Sequence, residues 1–138
     1  MHLCLDSSII VAALRRQEKE HVPALDLLRK IKDGEHIAIE PYTVLVEVTA
    51  AVRCRTGSKE LATRVKSDLL ALGTIRFVDI DTISSSAAAD IAGDIGVRGM
   101  DAIVIQVARE FGIPLITLDV EIMEKAQGTV EILHPGSV

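Results

Sequence analysis

Four carboxylic acids stand at the borders of apolar runs. Asp6 follows Leu3-Cys4-Leu5, Glu47 sits inside Val44-Leu45-Val46-Glu47-Val48, Asp101 precedes Ala102-Ile103-Val104-Ile105, and Asp119 follows Leu115-Ile116-Thr117-Leu118. An ionised carboxylate beside a core-forming segment must be paired, solvated or bound to a cation, because leaving it bare in a low-dielectric interior is too costly. The four are widely separated in sequence, so only a fold can bring them together. Gathered, their oxygens form a pocket suited to a hard divalent ion such as Mg²⁺ or Mn²⁺. Taken singly, Asp6 and Asp119 suit helix N-caps, and Asp101 suits a first helical turn. Glu47 falls inside a helix, where capping does not account for it, and its everyday role there is a solvated or ion-paired position. The recurrence of the same pattern is the signal.

Other ionisable groups have simpler explanations. Asp90 and Asp94 lie one helical turn apart and read as an exposed face. Asp79 and Asp81 flank Ile80 and read as turn residues, and Glu18, Glu20, Glu60 and Glu124 sit among polar neighbours. Cys4 and Cys54 lack metal-ligand spacing, and His2, His21, His36 and His134 are scattered, so a zinc site is not expected.

The elements that must position the four acids are short. Strands are expected at His2–Leu5, His36–Ile39, Ile75–Ile80, Pro114–Leu118 and Val130–Leu133. Helices are expected after Asp6-Ser7-Ser8, over Val22–Lys32, from Pro41 onward with Val44, Val48 and Val52 on one stripe, over Lys59–Leu72, Thr82–Ile95 and Asp101–Phe111, and from Asp119 to Ala126. Short apolar strands separated by helices imply an α/β domain, with a largely parallel sheet covered on both faces. Such sheets bind ligands beyond the carboxyl ends of their strands, where Asp6 and Asp119 fall.

The chain has 138 residues, nearly half of them apolar, which fits a single domain spanning residues 1–138 with a substantial core. No apolar stretch approaches the roughly 20 residues of a membrane span. No basic segment followed by a long apolar core opens the chain, so a cytoplasmic protein is expected. The formal charge of −5 argues against coating nucleic acid by net charge alone. With no Trp, one Tyr and two Phe, a base-stacking platform is not expected either.

The set Leu5-Asp6-Ser7-Ser8-Ile9-Ile10, Leu45-Val46-Glu47-Val48, Met100-Asp101-Ala102-Ile103 and Thr117-Leu118-Asp119 resembles the PIN-domain ribonucleases, in particular the VapC-type toxins of prokaryotic toxin–antitoxin pairs. The resemblance spans almost the whole chain and rests on order and spacing rather than on one motif. It implies a Rossmann-like, three-layer fold with about five strands. It also implies metal-binding, catalytic acids at Asp6, Glu47, Asp101 and Asp119, with Thr117 supporting the site. The implied activity is Mg²⁺- or Mn²⁺-dependent hydrolysis of RNA. The implied partners are a small antitoxin protein and a second copy of the chain. Family members commonly carry Asn or Thr after the first aspartate. Here Ser7 stands there, and it is assigned the same supporting role. Arg98, three residues before Asp101, is a candidate phosphate contact, and Arg15, Arg16 and Lys19 form a candidate basic rim.

Other functions use parts of the same set. A non-catalytic PIN-like module, binding RNA or a protein, would keep the fold and use the acidic pocket for a partner's arginine. A phosphoacceptor signalling domain would need a lysine after its last strand, where Leu133-His134-Pro135 stands, and would leave Glu47 without a role. A small-molecule phosphatase would use the acids and a metal, but no glycine-rich phosphate loop is present.

Overall fold

The computed structural model describes residues 1–138. Its elements run β1 (His2–Leu5), α1 (Ser7–Leu14), α2 (His21–Lys32), β2 (Ile37–Pro41), α3 (Tyr42–Thr56), α4 (Lys59–Ala71) and β3 (Ile75–Val78), then α5 (Thr82–Ile95), α6 (Gly99–Phe111), β4 (Leu115–Ile116), α7 (Val120–Ala126) and β5 (Ile132–Leu133). A 3₁₀ turn over Pro135–Ser137 closes the chain. No helix is long and apolar enough to cross a membrane.

All five strands are parallel, in the order β3-β2-β1-β4-β5. From central β1 the chain steps outward to β2 and β3, returns past the centre to β4, and ends at β5. Right-handed crossovers then place the helices before β3 and those after it on opposite faces, giving three layers. Helices α1 and α3 pack together on one face, while α5 packs on α6, which lies across β1, β2 and β4. Leu3, Cys4, Leu5, Leu115 and Ile116 are wholly buried, as sequences covered on both faces must be.

The expected strands are mostly shorter in the structure, with β4 only two residues long. The second differs in kind. It continues through Glu40 to Pro41, and α3 starts at Tyr42 rather than at the proline. A residue before proline is biased toward extended backbone, which keeps Glu40 in the strand. Helix α6 begins two residues ahead of Asp101, which puts that acid in the first turn. Gly112, at φ 62°, supplies the left-handed residue that stops α6 and turns the chain into β4.

Candidate active site

Strands β1 and β4 lie side by side although the chain leaves the sheet centre in opposite directions from them. Their carboxyl ends therefore flank the crevice where the sheet reverses. Asp6 is the first residue past β1, and its backbone N–H donates to Ile116 O at 2.9 Å. Its carboxylate is almost fully buried and does not cap α1. Oδ2 instead accepts from Thr117 Oγ1 at 3.0 Å and from Ser8 Oγ at 2.7 Å. Thr117, wholly buried, also accepts from Asp119 N–H at 3.0 Å. One hydroxyl thus ties the acid after β1 to the acid after β4.

Asp119 divides its oxygens between two tasks. Oδ1 caps α7 by accepting from the N–H groups of Glu121 and Ile122, at 2.8 and 3.2 Å. Oδ2 faces the crevice and meets Arg98 Nη2 at 3.3 Å. Arg98 Nε lies 3.3 Å from Asp101 Oδ2, so a single guanidinium spans both acids. Arg98 is 72% exposed while Asp101 is 10% exposed at the side chain, so the cation lies over the acids from the solvent side.

The pKa of Asp101 is raised from its ordinary value, first by burial and then by the charge of Asp6, with Arg98 pulling the other way. Glu47, half-buried on α3, is also raised by burial, then by Asp6 and Asp101. It accepts no hydrogen bond from the protein. These mutual effects bring Asp6, Glu47 and Asp101 into one electrostatic neighbourhood, and Arg98 joins Asp119 to it. No three of the carboxylates have donor atoms close enough to hold a metal ion as they stand.

The sequence pointed to Ser7 as the supporting hydroxyl, but Ser8 holds the carboxylate. Ser7 makes no side-chain hydrogen bond, whereas Ser8 donates to Asp6 and accepts from Leu118 N–H at 3.2 Å. Entry into α1 turns successive side chains by about 100°, and the hydroxyl two residues on bends back to the acid. Asp90 and Asp94 are exposed, as expected. Asp81 caps α5 through Ser84 N–H. Arg15 pairs with Glu18, which takes one cation from the expected basic rim.

Glu40 escaped the sequence reading altogether. It is wholly buried on β2 and accepts from Leu5 N–H, one residue before Asp6. Burial raises its pKa well above the carboxylate range, and the charge of Asp6 adds to the effect. Its other oxygen lies 3.8 Å from Cys4 Sγ, whose own thiol is pushed up by burial. Burial thus favours the neutral form of Glu40, beneath the site. Its sequence signal was an acid joining an apolar strand to a proline.

The PIN domain family model matches residues 3–128. The chain belongs to the PIN domain family. No relative was found among curated protein sequences. Solved structures share the fold at low identity. Against VapC20 of Mycobacterium tuberculosis, described as a sarcin–ricin loop cleaving toxin, the TM-score is 0.76 at 19% identity, covering 94% of this chain and 97% of that one. The FitAcB structure from Neisseria gonorrhoeae gives 0.71 at 18% identity, covering 99% of both chains. VapBC2 of Rickettsia felis, bound to a promoter DNA fragment, gives 0.69 at 15% identity, covering 97% and 98%. This PIN domain therefore shares its fold with those chains over nearly their whole length.

Proposed function

We propose that this PIN domain is a metal-dependent ribonuclease, the toxin of a toxin–antitoxin pair. The observation that carries the reading is the grouping of acids from β1, α3, α6 and the end of β4 around the reversal point of the sheet. Family membership and the toxin-like fold support it. The donor set is all hard oxygen, which fits Mg²⁺ or Mn²⁺ and not a soft ion. Asp6, Asp101 and Asp119 would hold the ion, with Glu47 as a further ligand or the partner of its water. Bound there, a divalent ion supplies a water of lowered pKa and positive charge for the phosphate and the leaving oxygen.

The residues of the chain divide the remaining work. Thr117 and Ser8 hold Asp6 Oδ2 in place, which orients the acid for an incoming ion. Arg98 offsets the repulsion between Asp101 and Asp119. Being largely exposed, it can move from those acids to a phosphate oxygen. Glu47, free of hydrogen bonds from the protein, can hold the attacking water. A small antitoxin would silence the site by covering this crevice, and a homodimer is the expected assembly.

The test is cleavage of a panel of RNAs with Mn²⁺, comparing the native chain with Asp6→Asn. The native chain should leave 5′-phosphate ends and should melt at a higher temperature with Mn²⁺. Asp6→Asn should abolish cleavage and weaken the thermal response. Equal melting shifts in the two proteins would remove Asp6 from the site. Metal binding without cleavage of any RNA would favour a non-catalytic binding module.

A further inference from the structure

A broad groove of about 700 Å³ runs between α3 and α4. Arg53 from α3 and Lys59 and Lys66 from α4 line it, no acid does, and none of the three cations forms an ion pair. In a chain of net charge −5 the groove thus gathers three cations with no acid among its lining residues. Lys59 and Lys66 share one face of α4, two turns apart. Thr63 lies between them with an exposed hydroxyl.

The groove reaches toward the acid cluster along α3. Val46 lines it and is 63% exposed, and Glu47 is the next residue, about 100° around the same helix. A chain lying in the groove meets the cluster by crossing the exposed ridge of Val46 and Ala50. The cluster itself repels a polyanion, and its one cation, Arg98, is engaged by two carboxylates. Binding of a polyanion thus needs cations beside the site, and this groove supplies them.

We propose that the α3–α4 groove binds the sugar-phosphate backbone of single-stranded RNA and leads it to the acid cluster. This rests on RNA being the substrate. No aromatic ring lines the groove, and Tyr42 and Phe77 stack on each other elsewhere, at 5.4 Å between ring centroids. Recognition there is by charge, without base stacking, and is indifferent to sequence.

The prediction is a salt slope. Each phosphate contact on a single strand contributes about 0.7 to the slope of log K against log salt, so three cations contribute about 2. Between 50 and 200 mM salt that is roughly a sixteenfold difference in affinity loss. The test measures binding of a fluorescein-labelled oligouridylate to the full chain carrying Asp6→Asn, which prevents cleavage. Onto it go the groove triple Arg53→Gln, Lys59→Gln, Lys66→Gln or a control triple of equal charge change, Arg29→Gln, Lys32→Gln, Arg109→Gln. All six positions are at the surface, and circular dichroism checks folding. The groove triple should flatten the slope by about 2 and the control triple by much less. Equal slopes would overturn the proposal while leaving RNA as the substrate. Equal slopes with a changed sedimentation mass would make the groove a contact between copies, and equal slopes with lost polyglutamate binding would assign it to an acidic polypeptide. If the parent binds no RNA and the native chain cleaves none, the substrate class itself falls, and the groove proposal with it.

Discussion

Replacing Glu40 by Gln should make the protein more stable at neutral pH, and the gain should grow with pH. In the native fold Glu40 is wholly buried and its pKa is raised well above the carboxylate range. In the unfolded chain it ionises at about pH 4.3. Above that pH the unfolded state has released a proton that the folded state still holds, so the unfolded state binds fewer protons and stability falls as pH rises. The slope is about 1.4 kcal/mol per pH unit for as long as Glu40 stays protonated in the fold. Below the carboxylate range both states are protonated and this loss is absent. Gln keeps an oxygen for Leu5 N–H and has no proton to lose. Urea unfolding of the native chain and Glu40→Gln should therefore give similar midpoints near pH 4. By pH 6 to 7 the midpoints should diverge by about 1 M or more, given m-values of 1–3 kcal/mol/M. A gap that stays constant from pH 4 to 7 would show that Glu40 is not a neutral acid in the fold and refute the reasoning.

Thr117→Val removes the hydroxyl shared by Asp6 and Asp119 and should cost about 2 kcal/mol, the scale of a hydrogen bond to a charged group. Thr117→Ser should recover most of that in thermal melts, and equal losses would trace the effect to the methyl group instead. Arg98→Gln frees Asp101 and Asp119 from a competing cation, so Mn²⁺ should bind the RNA-free chain about threefold to tenfold more tightly, the scale of two exposed ion pairs. The same variant should lower kcat/KM for RNA at saturating Mn²⁺. Weaker metal binding in calorimetry would remove Arg98 as a counter-ion.

Much of the candidate site was legible because strand ends announce themselves. Asp6 and Asp119 each follow an apolar run, and the rule that parallel sheets bind at their carboxyl ends places such acids on one edge. Glu47 was legible because nothing about helix capping explains it. Arg98 was visible only as a neighbour of Asp101, since its second partner lies 21 residues away. Ser8 was confused with Ser7, because a one-residue difference at a helix start changes which hydroxyl points back. Glu40 was missed because its role beneath the site comes from burial, and burial depends on what covers β2.

The sequence by itself determined the order of strands and helices, the apolar runs that must be covered on both faces, and the acids standing at their ends. Hydrophobic periodicity, proline and glycine act locally, so they can be read locally. The tertiary structure alone decided that β4 inserts beside β1, which brings Thr117 to Asp6 across 111 residues and sets Arg98 over two acids. Strand neighbours are chosen by the packing of the whole sheet between its helices, and no short stretch of chain carries that information.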